Sequence, residues 1–325
     1  MKYKFFSVNC TPKLTEIKIL GLQIFKKVKL DRKEKVCFLG IPLKKIRKTK
    51  KGIKKYFLGI CYHFNGYPNT EKILKEISWL QTSIYNFNDK IKLQLQISNL
   101  HQKVFPQFKN INTNKDVVIV GAGPTLKDYK PISEAVHIGV NRTFLCEKIN
   151  LNYLFLLDYV NVKPYIDKAN LYNSDSCQKF YGIFSKRNHP LHIPDSIANK
   201  GNALRYYVSD DDYTLNEEFY YDIENNPLAC FWSVIFQAAH FALYTNPKRL
   251  YIVGCDCNFK GYYDGNSQII QEEELKNKHQ IRNMDGWIKF KKYAELYYPE
   301  TEIISVNPVG LKGIFKDIYT IEEMN

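Results

Sequence analysis

Hydrophobic and polar positions fall into two regimes along this chain. From residue 116 onward, short apolar runs recur, and each is closed by Gly, Asn or Asp. Asp116–Val120 runs into Gly121, Ala135–Val140 into Asn141, Tyr153–Leu157 into Asp158, Arg249–Val253 into Gly254-Cys255-Asp256, and Glu302–Val306 into Asn307. Runs with consecutive apolar residues mark strands buried on both faces, the habit of parallel sheets. Helical stretches lie between several of them. The pattern predicts a Rossmann-like α/β domain over 115–325, with a mostly parallel sheet and helices on both faces.

Before residue 116 the periodicity changes. Residues 1–70 read as a small β-rich module. Phe-Leu-Gly-Ile occurs in both Val36–Leu43 and Tyr56–Tyr62, and a basic loop from Lys44 to Lys55 would join these as a hairpin. Residues 71–108 read as a helix. Ile77, Ile84 and Ile91 recur at seven-residue spacing, with Leu80 and Phe87 between them. That is the seam of a short coiled coil, and hence of a homo-oligomer, or the apolar face of a helix laid on the following domain. Pro106 and the polar stretch Asn110–Asn114 form a linker.

In open α/β sheets, ligands bind outside the carboxyl ends of the strands. Gly121, Asn141, Asp158, Asp256 and Asn307 are therefore expected to converge on one crevice. The first strand enters Gly121-Ala122-Gly123-Pro124-Thr125, where glycines allow close approach of a phosphate and Pro suits a first helical turn. A helix N-terminus there would bind an anion, and a side chain at 123 would block it. A tight strand–helix turn without ligand is the plain alternative. A dinucleotide fingerprint fits poorly. Leu126 stands where the third glycine belongs, and Asn141-Arg142 stand where a ribose-binding acid belongs. No Gly-Lys-Ser/Thr follows, which excludes a P-loop.

Charge adds a local feature. Of the net +14, the segment Lys26–Lys55 supplies fourteen cations against Asp31 and Glu34, a surplus of 12. An anionic membrane surface fits such a segment, with a merely solvated loop as the plain alternative. The aromatic residues sit on the apolar strands rather than among the charges, which argues against a nucleic-acid platform. No apolar run is long enough to span a bilayer, and the first residues lack a signal-peptide core. The eight cysteines are scattered, as in a reducing compartment. The expected location is cytoplasmic, peripheral to the inner face of the cell membrane.

Three stretches in combination carry a family resemblance. They are Val117–Lys127, Gly139–Phe144, and Ser233–Ala239 leading into Leu250–Asp256. Together they resemble the bacterial lipooligosaccharide sialyltransferases and, more widely, the MAF/6-hydroxymethylpterin pyrophosphokinase-like superfamily. The resemblance covers roughly 116–310. It implies a single GT-A-variant, Rossmann-like domain using a CMP-linked sugar donor, a glycan or glycolipid acceptor in lipopolysaccharide or capsule synthesis, and no further cofactor. By position, it implies that Gly121, Ala122, Gly123, Pro124 and Thr125 approach the donor, with Asn141, Ser233, Gly254 and Asp256 on the nucleotide. Arg142, Asp158 and Asn307 join that set as strand-end neighbours. The family's phosphate-binding tyrosines come after Gly-x-Asp, and here Tyr262 and Tyr263 follow closely on that position. Val234 departs from the family's Gly, and Asn258 stands at the nearest tyrosine position.

Sugar transfer to a hydroxyl needs a base within hydrogen-bond reach. The resemblance places it at His279, just ahead of a helix expected from Gly286 to Tyr298, with Arg282 close by to offset phosphate charge. His189 and His192 flank Pro190 in a loop and remain candidates, whereas His240 lies in an apolar helix and reads as core. Asp256-Cys257-Asn258 offers too few oxygen ligands for a metal site, so none is expected. The leading reading is a nucleotide-sugar glycosyltransferase. A pyrophosphokinase of the wider superfamily and a non-catalytic nucleotide-binding scaffold are the competing ones.

Overall fold

The computed structural model describes the backbone of residues 6–10, 14–19, 22–30, 33–38, 41–49, 52–57, 60–63, 70–173, 175–184, 191–209, 217–258, 260–266 and 272–319; side chains are described at Leu14 and from Ser78 onward. The chain divides into two compact units, Met1–Phe87 and Asn88–Asn325.

The first unit holds seven strands: β1 (Phe6–Cys10), β2 (Leu14–Ile19), β3 (Leu22–Leu30), β4 (Lys33–Phe38), β5 (Ile41–Thr49), β6 (Gly52–Phe57) and β7 (Ile60–His63). They form one antiparallel meander in chain order. The basic stretch expected as a loop is instead strand. Lys44, Lys45, Arg47 and Lys48 lie on β5, and Lys54 and Lys55 on β6, with Arg47 opposite Lys54. Strand pairing overrode the loop-like composition. The side chains of Lys26–Lys55 lie outside the described residues.

Helix α1 (Thr70–Val104) is continuous. Ile84, Phe87 and Ile91 of the seven-residue pattern are exposed on it, and the side chain of Ile77 lies outside the described residues. Its last turns bury Ile97, His101 and Val104, at the four- and three-residue steps that put side chains on one helix face.

The second unit contains an eight-stranded sheet: β8 (Asp116–Val120), β9 (Val136–Val140), β10 (Tyr153–Leu156), β11 (Gln178–Phe184), β12 (Leu204–Val208), β13 (Arg249–Val253), β14 (Glu302–Val306) and β15 (Lys316–Ile318). All of its pairings are parallel, in the order β12-β11-β10-β9-β8-β13-β14-β15. The fold is α/β and Rossmann-like, as the periodicity predicts. Strands β11, β12 and β15 were not foreseen, because Lys179, Arg205 and Lys316 interrupt their apolar character.

Side-chain alternation divides the core between the two faces. Val117 and Ile119 of β8, with Leu250 and Ile252 of β13, join one cluster; Val118, Val120, Tyr251 and Val253 join the other. The first cluster includes α5 (Ile235–Tyr244), in which every residue is buried, and the inner side of α6 (Glu273–Tyr297). His240 is fully buried there and meets the Tyr220 carbonyl at 2.8 Å, so it is a core residue as expected. Short helices α2 (Tyr159–Val162), α3 (Ile166–Leu171) and α4 (Asp195–Lys200) complete the unit. The chain reverses direction across the sheet between β8 and β13, and this reversal positions the site.

Candidate functional site

At the carboxyl ends of β8 and β13 the two backbones come into direct apposition. The Gly121 N–H donates to the Val253 carbonyl and the Gly123 N–H to the Gly254 carbonyl, both at 2.8 Å. Gly254 takes a left-handed φ of +64°. A Cβ on Gly121 would collide with the Gly254 carbonyl and lie 2.8 Å from Cys255 Sγ; one on Gly254 would collide with the Gly121 carbonyl. A Cβ on Gly123 would strike the Asp256 carboxylate and come within 2.7 Å of the Gly254 oxygen. The glycines are therefore required for strand contact whether or not a ligand is bound, which differs from a purely phosphate-binding role.

Beyond the glycines, Pro124–Asp128 forms a five-residue 3-10 turn rather than the expected α-helix. Its open end is already occupied. Asp256 is buried and accepts the Thr125 N–H at 2.9 Å and the Thr125 hydroxyl at 2.5 Å. A carboxylate from the loop after β13 thus fills the place at the turn where an anion would be favoured. Thr125 is committed to that contact and does not line the cavity.

The neighbouring strand ends supply polar groups. Asn141, with φ +48°, closes β9, and its Oδ1 is buried without a hydrogen-bond partner. Arg142 pairs with Asp264 at 2.6 Å and lies 4.5 Å from the centroid of the Tyr262 ring. Asp158 at the end of β10 caps α2, accepting from Val160 and Asn161 N–H and from Asn161 Nδ2 at 2.6 Å. Tyr263 N–H donates to the Ala122 carbonyl at 3.0 Å, but its ring packs against the second core cluster and stays outside the cavity. Asn307 stands apart as well. Its N–H donates to the Ile318 carbonyl at 2.8 Å, one strand outward from β13, so the convergence expected of the strand ends excludes it.

The opposite wall is built from side chains. Phe231 and Trp232 are consecutive non-glycine residues with φ of 41° and 61°, a conformation costing on the order of 1–3 kcal/mol each. They lead into Ser233 and α5. Glu217, buried, accepts from the Cys230 and Phe231 N–H groups, the latter at 2.8 Å, and from the Ser209 hydroxyl. Arg282 contacts the same carboxylate at 3.1 Å, both side chains being buried. Arg282 is thereby committed to Glu217 and does not line the cavity.

His279 lies inside α6 rather than ahead of it, because the helix begins at Glu273. On a helix, His279, Arg282, Asn283 and Gly286 share one face by their spacing. A Cβ at Gly286 would overlap the Phe236 and Phe231 rings, so glycine lets α6 approach closely. The His279 ring lies 4.9 Å from that of Trp232 at an interplanar angle of 53°. Burial lowers its pKa from the ordinary 6.5, which keeps the imidazole neutral and able to accept a proton near neutral pH.

These elements enclose a cavity of about 720 Å³, within the usual range for small-molecule sites. Gly121, Ala122, Gly123, Pro124, Asn141, Arg142, Asp158, Ser233, Gly254, Asp256, Tyr262 and His279 all line it. Sequence reasoning missed Trp232, Tyr165, Asn161 and Asn283 in the lining, and Glu217 behind it. Only spatial proximity could have revealed them. His192 is not among the lining residues, and His189 lies outside the described residues. Burial raises the Cys257 thiol to about 12 and raises Cys255 as well. Among the described residues, no three His, Cys, Asp or Glu side chains gather as a metal set.

No protein-family model matches the chain, and no curated protein sequence matches it. Among solved structures, it is similar to the sialyltransferase CST-II in complex with trisaccharide acceptor and CMP, at 16% identity over 59% of this chain and 80% of that one, TM-score 0.37. The Campylobacter jejuni sialyltransferase CstII with CMP-3FNeuAc gives 17% identity over 63% and 86%, TM-score 0.37. The apo alpha-2,3-sialyltransferase from Campylobacter jejuni gives 15% over 59% and 75%, TM-score 0.33.

Proposed function

We propose that the chain is a glycosyltransferase that moves a sugar from a nucleotide-activated donor to a glycan or glycolipid hydroxyl. The observation that carries this reading is the convergence of the three resemblance stretches on one cavity. Gly121–Pro124, Asn141, Ser233, Gly254 and Asp256 meet there, with His279 facing them from α6.

In this reading the nucleotide lies along the β8, β9 and β13 ends. Asn141 Oδ1, buried and unpartnered, is an acceptor suited to a base or ribose donor group. With Arg282 buried on Glu217 and outside the cavity and the 3-10 turn filled by Asp256, the phosphate belongs beside Tyr262 and Arg142, which lines the cavity and keeps its Nε unpartnered although Asp264 takes its Nη2. The His279 imidazole takes the proton of the acceptor hydroxyl. The new glycosidic bond forms as the bond between anomeric carbon and phosphate oxygen breaks, and the nucleotide leaves with that electron pair.

The sequence resemblance makes a CMP-linked donor the first to test. Calorimetry with CMP, UDP and GDP, followed by turnover of the matching sugar nucleotides with and without saccharide acceptor, checks the reading. One nucleotide should bind, and its sugar conjugate should be consumed. Binding of none, or consumption of ATP alone, would overturn it.

The basic first unit and α1 extend the proposal. Lys26–Lys55 would hold the enzyme on an anionic bilayer, and wild type should float with acidic liposomes at low salt. Exposed Ile84, Phe87 and Ile91 support self-association through α1, for which light scattering should give a mass above one chain. Among the described residues, no helix is long and apolar enough to cross a membrane.

A further inference from the structure

One buried carboxylate lies behind the cavity and has no part in the chemistry proposed above. Glu217 is 4% exposed. Its Oε1 accepts from the Cys230 N–H and the Ser209 hydroxyl, and its Oε2 from the Phe231 N–H at 2.8 Å and from Arg282 at 3.1 Å. Its backbone carbonyl accepts from Lys289 Nζ at 3.1 Å. Burying a carboxylate is costly unless every such partner is supplied. Two of these partners, the Cys230 and Phe231 N–H groups, belong to one turn of chain, and Arg282 and Lys289 tie it to α6.

That turn is itself strained. Phe231 and Trp232 are both left-handed. The consequence is a division of labour between neighbours. Phe231 points inward and is fully buried against Phe219 and Phe236, with Arg282 and Lys289 5.6 and 5.4 Å from its ring. Trp232 lines the cavity, with Arg282 5.9 Å from its ring centroid and the His279 ring at 4.9 Å. Arg282 stands three residues after His279 on α6, so the Glu217–Arg282 pair ties the turn to the helix that carries the imidazole. Strain held in place by buried partners at a cavity wall points to function rather than to connection.

We propose that Glu217 is a positioning residue: by fixing the Phe231–Trp232 turn and gripping Arg282, it holds the indole of Trp232 against the imidazole of His279 and sets the direction in which that imidazole faces the cavity. The role rests on the reading of His279 as the base. On α6, Lys276 and Arg282 stand three residues before and after His279 and Lys278 stands next to it; Arg142, Asp158 and Asp256 line the same cavity.

The contact can be read without any substrate. The chain has three tryptophans, and subtracting the emission of Trp232→Phe from wild type isolates Trp232. An imidazolium quenches a neighbouring indole more than a neutral imidazole does. The isolated signal should fall on acidification with a midpoint below the ordinary 6.5, and the titration should vanish in His279→Gln. In Glu217→Gln the quenching should be reduced by about half or more as the imidazole and indole part, and the midpoint should move from its wild-type value. Ser209→Ala, which removes one partner of the carboxylate, should move it less and in the same direction, and so serves if Glu217→Gln does not fold. Transfer should fall by about tenfold or more in kcat, with KM for the sugar nucleotide within about twofold. No titration of Trp232 in wild type, or an unchanged midpoint in folded Glu217→Gln and Ser209→Ala, would overturn the proposal. If wild type consumes no sugar nucleotide, the transferase reading falls, while the fluorescence still decides whether Glu217 positions His279.

Discussion

The two walls of the cavity are held by different forces. The β8–β13 wall is backbone against backbone. Gly121 and Gly254 touch so closely that neither accepts a methyl group, and main-chain hydrogen bonds join the two strand ends, with the Asp256 carboxylate bracing Thr125 beside them. The α5–α6 wall is side chain against side chain, with Glu217, Arg282, Trp232 and His279 joined through an ion pair and ring contacts. The first wall depends mainly on absent atoms at Gly121 and Gly254, whereas the second, close-packed at Gly286 as well, depends also on the paired charges of Glu217 and Arg282. The difference teaches where each will fail. A wall made by exclusion breaks when volume is added, and a wall made by pairing breaks when a partner or a proton state changes.

The largest expected effect assigns the chemistry to the second wall. His279→Ala should lower sugar transfer by roughly 10²–10⁴-fold, the range for a positioned general base, while nucleotide affinity on the first wall stays nearly constant. Steady-state rates with calorimetry would show this. Wild-type transfer by His279→Ala, together with loss in His192→Ala, would relocate the base.

Proton state should tell next in the core cluster behind the second wall, where His101 packs on Phe105 and His240 on Phe219. His240 on α5 and His101 on α1 both have pKa values of about 4 in the folded chain, against 6.5 ordinarily, through burial. A depressed histidine pKa means that the unfolded chain binds protons first. Stability should therefore be level above pH 6.5 and fall as pH drops from there toward 4, by on the order of 3 kcal/mol at most for each histidine. Chemical denaturation across that range should show the loss, and His101→Gln should flatten part of it. An equally steep fall in that variant would contradict the assignment.

Volume is the corresponding test of the first wall. Gly121→Ala and Gly254→Ala should each destabilise by about 1–3 kcal/mol through overlap, and Gly254→Ala by about 1–2 kcal/mol more for its left-handed backbone. Both break one contact, so the double variant should cost less than the sum. A wild-type melting temperature in either single variant would show that the clasp yields freely.

The smallest effect separates clasp from ligand contact at Asp256. If the carboxylate mainly caps the 3-10 turn through Thr125, Asp256→Asn should lose about 1–2 kcal/mol of stability and leave nucleotide affinity within about threefold. A tenfold or larger loss of affinity with unchanged stability would make Asp256 a direct ligand.

How much of this was legible depended on the wall. Strand ends such as Val117–Gly121 and Leu250–Gly254 announce themselves, because a continuous apolar run followed by glycine or a polar residue is a local signal. The parallel sheet and most of the cavity's first wall followed from it. Asn307 was misplaced because a strand tip does not state how far its strand lies from the reversal in the sheet. Arg282 looked free because nothing in its neighbourhood names Glu217, 65 residues earlier. The basic stretch around Arg47 looked like a loop because charge is locally the stronger cue, while pairing with the neighbouring strand is not visible locally.

The sequence by itself determined the α/β class, the strand tips from which a site could be made, the buried character of α5 and the local excess of charge. These depend on side-chain chemistry over a few neighbouring residues. Only the tertiary structure decided that Asp256 fills the turn at Thr125, that glycines serve glycines across two strands, and that a left-handed Phe231–Trp232 turn faces His279. Each of these joins residues far apart in the chain, and such contacts come into being only when burial makes a missing atom or an unpaired charge costly.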